Sequence, residues 1–429
     1  MSTQQPVANS SLNRPGIWAT APEVLLVLLF EHGTRAALQD DGLPFPIRVS
    51  HVCRYWRFVA TSTPAVWTGV PVHPLRSGLA QFFFERLGDY LPVDLSIHIR
   101  SERNADATIA FVLQQHERVR DVYLRAHGNP AVFIFISRIR SISLPRLRHF
   151  EINLTKNPKG GALGHLPAIL DGEPSTTLDS VALRGACFDY HSPMLKGLTR
   201  LTLGDLPRRM AAPSYATFRD LLTASPRLTY LKLDDVFPVL TEAIDYGAIE
   251  LPHLQVLELV MERDSTYVLD FFTVLSLPQI DTLSFESPWQ ITWEGFEMSF
   301  PLLQATFPSV RTLRLSATGQ PGFHNAGVRP ELFGIFPRLE YLTLAAYDDK
   351  IIHYYLQPWI AVMQGHLEDD PLKQGPSPVW PGLQLLTVRV PFDSRDEEDE
   401  EDSIDELLEF LGSLRMSMDL PFDVWQECV

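Results

Sequence analysis

Thirteen histidines, three cysteines and 52 acidic residues supply the side chains for acid–base, nucleophilic or metal chemistry, so their spacing must decide whether any of it is present. His116-Glu117 and His191 have no partner at metal-ligand spacing, and the cysteines at 53, 187 and 428 form no CxxC pair. No metal site is expected. The chain contains none of GxSxG, HExxH, a P-loop, GxGxxG or an EF-hand loop. The glycines of KGGALGH near Gly160 lack the Lys-Ser/Thr that would bind a phosphate, and Cys53 reads as a small buried hydrophobe rather than a nucleophile. Neither a catalytic residue nor a cofactor is expected, so the chain is read as a binding protein, not an enzyme.

The elements that would position a binding surface can be read from length and patterning. At 429 residues with 45% apolar and 21% charged side chains, the chain is globular but too long for one compact core. Its 34 prolines are spread as punctuation between short elements. The net charge of −16 is uneven, with eleven acids and one base between Asp393 and Glu409. Neither part offers a basic stripe, which argues against nucleic acid and anionic membrane as partners. Apolar runs such as Val24–Phe30 are too short to span a bilayer, and the first residues lack a signal-peptide pattern. The well-separated cysteines suit a reducing compartment, so a cytoplasmic or nuclear location, or both, is expected.

A disordered tail is expected over 1–16. PEVLLVLLFEHG then reads as a short apolar helix, with Pro22 at its first turn and Gly33 just past its end. In RVSHVCRYWRFVATSTPAVW, the spacing of Val49, Val52, Cys53, Trp56 and Val59 predicts one amphipathic helix. From Leu91, LPVDLSIHI alternates as a half-buried strand should. Beyond it a phrase recurs, P-x-L-x-x-L-x-L, spelled PRLRHFEI, PRLTYLKL, PHLQVLEL, PQIDTLSF, PSVRTLRL, PRLEYLTL and PGLQLLTV, with proline-free versions from Arg118, Thr177 and Gly197.

Ten units at a mean spacing of about 29 residues predict strands starting near 120, 148, 179, 199, 229, 255, 281, 311, 340 and 384. Counted from the first apolar residue, the fourth and sixth positions should face the interior and the third, fifth and seventh the open surface. SYATFRDLLTAS and STYVLDFFTVL read as helical returns. Val236 and Ala186 stand where an asparagine ladder would run, so none is expected. GQPGFHNAG and EDDPLKQGPSPVWPG read as inserted linkers, 393–403 as a solvated acidic linker, and 404–429 as a terminal helix and cap.

The pieces APEVLLVLLF, VCRYWR and STPAVW, in that order, resemble an F-box of the fungal form, and the repeats after them resemble leucine-rich repeats. The fold class expected is therefore α/β: a helical F-box over 17–72, then an irregular leucine-rich-repeat solenoid with a parallel curved sheet over 80–392. The resemblance implies the substrate receptor of a cullin-based ubiquitin ligase. Its F-box would bind a Skp-family adaptor, and through it a cullin, using Pro22, Val24, Leu25, Leu28, Leu29, Val52, Cys53 and Trp56. Its open sheet face would bind an unknown protein target through Tyr230, Lys232, Asp234, Val256, Glu258, Thr282, Ser284, Glu286, Arg314, Tyr341 and Thr343. The alternative is a leucine-rich-repeat scaffold whose F-box acts outside any ligase.

Overall fold

The computed structural model describes residues 21–38, 42–73, 77–99, 102–127, 129–140, 142–155, 177–186, 188–205, 213–238, 240, 247–260, 271–287, 304–317, 336–346, 382–390 and 423–428. The chain divides into two compact units, the first running to residue 162 with 166–178 and the second formed chiefly by residues from 179 onward.

The first unit opens with helix α1, Glu23–Ala36. Pro22 is its N-cap rather than its first residue, and the helix runs three residues past Gly33. Gly33 is thus an interior residue of the helix, at a position where a Cβ would strike the ring of Phe45. Leu26, Phe30 and Thr34 form the buried stripe, and the Thr34 hydroxyl donates to the Val66 carbonyl at 3.0 Å.

The single helix expected over VSHVCRYWRFVA is two: α2, Phe45–Ser50, and α3, Arg54–Ser62. Cys53 breaks the run with an extended backbone (φ −156°, ψ 173°), and its thiol accepts the Trp56 N–H at 3.4 Å, so it caps α3 instead of filling a core. Arg57 Nε donates to the Ser50 carbonyl at 2.8 Å, which satisfies an acceptor freed at the break. A short 3-10 turn, Pro64–Trp67, comes next, and Trp67 Nε1 donates to the Ala60 carbonyl at 2.7 Å.

Strand β1, Gly69–Val72, pairs in parallel with β2, Val93–Ile99, which pairs with β3, Val119–His127, and β3 with β4, His149–Thr155. Helices α4 (Ser77–Leu87), α5 (Glu102–Gln115) and α6 (Asn129–Ile139) supply the returns. Among the described residues β1 pairs on one side only, which is where Pro71 can sit inside a strand without costing a ladder bond. β2 is buried nearly throughout rather than half-buried as its alternation suggests. The Ser96 hydroxyl on its second face donates to the Leu38 carbonyl at 2.7 Å, so chain packs over that face too.

In the second unit, β5 (Ser180–Arg184), β6 (Arg200–Gly204) and β7 (Tyr230–Asp234) pair in order, and β7 pairs with β9 (Val256–Val260). β11 (Thr282–Ser287), β12 (Thr312–Ala317), β13 (Tyr341–Ala346), β14 (Leu385–Val390) and β15 (Asp423–Cys428) continue the series, all parallel. A separate two-stranded ladder joins β8 (Ile249–Glu250) to β10 (Leu275–Ser276). Every repeat phrase therefore yields a strand at its expected place, and the long step before β14 leaves the β13–β14 register unbroken. Helix α7, Tyr215–Thr223, is one of the expected returns. The helix expected over 403–415, the acidic run and, apart from Gly382, both inserted linkers lie outside the described residues. Within 404–429, expected as helix and cap, residues 423–428 form a strand.

The repeat phrase works through two hydrogen-bond devices. In Ser225-Pro-Arg-Leu228, Leu251-Pro-His-Leu254 and Phe336-Pro-Arg-Leu339 the first carbonyl accepts the fourth N–H at 3.0 to 3.2 Å, placing each proline second in a β-turn that its fixed φ favours. One residue before each strand, a carbonyl then receives two donors from the next unit: the Thr229 carbonyl takes the N–H groups of Gln255 and Val256 at 2.9 and 3.0 Å. The arrangement recurs from the Asp179 carbonyl to that of Glu340. Leu231, Leu233, Leu257, Leu259, Leu313, Leu315, Leu342 and Leu344 are all buried, in one register row each for the first and second of each pair. Phe271, Phe272, Phe307 and Phe336 stack behind them with centroids 5.0 to 6.3 Å apart. Val236 and Ala186 are buried apolar residues at the position where an asparagine ladder would stand.

Candidate functional site: an exposed helix face and an open sheet face

Burial of Leu26 and Phe30 turns the opposite side of α1 outward. Val24 is 72% exposed and Leu28 60%, with Leu25 and Leu29 less so, and Pro22 is exposed beside them. Val52, between α2 and α3, is 59% exposed, and Phe58 on α3 60%. Six large apolar side chains on three short segments exceed what scattered surface residues need. Trp56 is half-buried, its ring 5.2 Å from that of Phe30, and Tyr55 donates to the Ala21 carbonyl at 3.1 Å, so these aromatics fix α3 against α1. Of the expected adaptor-binding residues, Pro22, Val24, Leu25, Leu28, Leu29 and Val52 are exposed, whereas Cys53 and Trp56 hold the helices together. Sequence reasoning missed Phe58, although an aromatic off the apolar stripe of RYWRFVATS was its signal.

The sheet face of the second unit carries three register rows. The first runs Arg200, Tyr230, Val256, Thr282, Thr312, Tyr341, Leu385; the second Thr202, Lys232, Glu258, Ser284, Arg314, Thr343, Thr387; the third Gly204, Asp234, Val260, Glu286, Ser316, Ala345, Arg389. All the expected target-binding residues lie in these rows, half-buried or exposed, as the counting rule requires. Lys232 Nζ pairs with Glu258 Oε2 at 3.1 Å, and the Arg200 guanidinium lies 4.1 Å from the centre of the Tyr230 ring. Burial, aided by the charge and hydrogen bond of Glu258, pushes the Tyr230 phenol up to about 12 against the opposing charge of Arg200.

The first unit has a tighter polar cluster that spacing did not reveal. The ladder slips between Val93 and Asp94, so Arg120 is an extra residue in β3. Its Nε and Nη2 reach the fully buried Asp94 carboxylate at 2.9 and 2.6 Å. Burial pushes the Asp94 carboxyl up to about 6, against the Arg120 hydrogen bonds and with the Asp121 charge adding to the rise. Nearby, Tyr123 stacks on His149 at 4.8 Å, and burial raises the Tyr123 phenol further than the Asp121, Asp94 and Glu151 charges do. These groups answer one another, which makes the cluster structural. Among the described residues no three His, Cys, Asp or Glu side chains gather as a metal site. His116 Nδ1 lies 2.9 Å from the Leu113 carbonyl, and the His191 N–H donates to Asp189.

No family model matches the chain, and no curated protein matches it. Among solved structures it is similar to a protein of Bacteroides fragilis at 12% identity and a TM-score of 0.33, over 81% of this chain and 78% of that one. The fold described above is α/β with a repeat-like parallel sheet, and no described helix is long and apolar enough to cross a membrane.

Proposed function

We propose that the chain is the target-recognition subunit of a cullin-based ubiquitin ligase, its N-terminal helices binding a Skp-family adaptor and its sheet face holding a protein target. The observation that carries this reading is the exposed apolar set Val24, Leu25, Leu28, Leu29, Val52 and Phe58, gathered on the helices whose sequence resembles an F-box. A hydrophobic partner surface would bury it. The open sheet rows support the second half, because their side chains can vary without touching the leucines beneath. The chain would make or break no bond itself; it would hold a target lysine near an enzyme supplied by the complex, raising its effective concentration.

Replacing Leu25 and Leu29 together by Asp tests the reading. Both side chains are exposed, so folding should survive while co-purification with the adaptor and cullin is lost. Unchanged adaptor capture by the double variant, or by residues 80–429 alone, overturns the assignment. Adaptor capture without cullin favours the second reading, a scaffold acting outside a ligase.

A further inference from the structure

The charged side chains of the second unit's sheet face are mostly answered. Lys232 has Glu258, Arg200 has the Tyr230 ring, and Arg311, just before β12, lies 4.0 Å from Asp281 and 3.8 Å from Glu340. Arg314 differs. It is exposed at the middle of β12 and has neither a hydrogen bond nor an ion pair among the described residues. Its cross-strand neighbours are Ser284 and Thr343, and Thr312 and Ser316 share its face on either side along the strand.

All four are short, neutral and hydroxyl-bearing, so a guanidinium among them stands above a shallow floor of donors and acceptors. The nearest acid in the rows, Glu286, sits diagonally across the β11–β12 pair and forms no ion pair with Arg314. An unanswered planar cation with hydroxyls around it matches a carboxylate, which can take two parallel N–H bonds from the guanidinium and one more from a hydroxyl.

We propose that Arg314, with Ser284 and Thr343, is the point at which the sheet face engages a carboxylate side chain of an acidic segment in its protein target. This rests on the sheet face being the target-binding surface. The chain's net charge of −16 opposes approach of an acidic segment from a distance, so recognition here is a short-range contact. Binding of such a segment therefore begins faster as salt screens that repulsion, opposite to a steered encounter.

The test uses the full chain and short mixed-sequence peptides that differ at one position, Glu, Gln or phosphoserine, with binding read by a surface-based assay. Glu peptides should be retained about tenfold better than their Gln counterparts, the gain of one charge-assisted bidentate contact. Arg314→Gln should erase that preference and Arg314→Lys keep part of it. An unchanged preference in Arg314→Gln overturns the proposal. Retention of phosphoserine but not Glu peptides overturns the carboxylate assignment, and a Glu preference that emerges only when Asp396–Asp402 are replaced by Ser and Gly gives the site to the chain's own acidic run. Adaptor capture is measured on the same samples. Its absence alongside an intact Glu preference removes the ligase reading and leaves the sheet site standing.

Discussion

Asp94 and Arg120 form a two-pronged ion pair, at 2.9 and 2.6 Å, in which the carboxylate side chain has no exposure and the guanidinium only 20%. Asp94→Ala leaves Arg120 with Asp121 at 3.6 Å, whereas removing Arg120 leaves the buried carboxylate without its ion-pair partner, so Arg120→Ala should cost about 3–5 kcal/mol in urea unfolding and Asp94→Ala less. Replacing both by apolar residues of similar volume should cost much less than Arg120→Ala. Equal losses in Arg120→Ala and the double variant would refute the pairing as the cause.

The same carboxyl gives a pH signature. Its folded-state value is raised from 3.8 to about 6, so the folded state binds the proton more tightly than the unfolded chain does. The stability it contributes is fully present below about pH 4 and is lost as pH rises through 6. Comparing unfolding free energies of the wild type and Asp94→Asn from about pH 4 to about pH 7 should show the wild type losing ground to the variant across that window. A constant difference would show that Asp94 does not titrate there.

Cys53 serves as a cap, which predicts an unusual tolerance. Cys53→Ser should keep or strengthen the bond to the Trp56 N–H, whereas Cys53→Ala should cost about 0.5–2 kcal/mol. Thermal unfolding of the two variants checks the order. A core cysteine would give the reverse, with the polar serine the more damaging change.

In the repeat core, Leu257 is fully buried between the equivalent leucines of its neighbours, Leu231 and Leu283. Leu257→Ala should cost about 2–5 kcal/mol in denaturant unfolding. Val256→Ala, one residue earlier on the half-exposed face, should cost far less. Similar losses at both positions would contradict the assignment of faces.

The sheet was legible because its phrase encodes two local devices at once, a proline turn and a period-2 alternation, and each acts within a few residues of its own sequence. The α2–α3 break was not, since Val49, Val52, Cys53 and Trp56 keep helical spacing straight through it. The break is decided by Cys53 turning extended and Arg57 reaching back to Ser50, neither of which alters the apolar pattern. Gly33 misled in the same way, reading as a terminator while serving as a gap for Phe45. For the candidate sites, the sheet rows were implied by periodicity, and the exposed α1 residues by the F-box resemblance and the apolar run Val24–Phe30. The Asp94–Arg120 pair was not, because it depends on a register slip that no spacing within one strand records.

The twice-used carbonyl before each strand gives the array a direction. The Gln255 and Val256 N–H groups depend on the Thr229 carbonyl behind them, and the Asp281 and Thr282 N–H groups on that of Gln255, so in these bonds each unit borrows its acceptor from the one made before it. A nascent chain can therefore dock each new strand as it emerges, before any later unit has been synthesised. Shortening from the C-terminal side leaves every donor of these paired bonds with its acceptor, whereas shortening from the other side orphans two N–H groups at the new first strand. Chains stopped after residue 317 should accordingly fray less at the cut than chains begun at residue 250 do at their first unit.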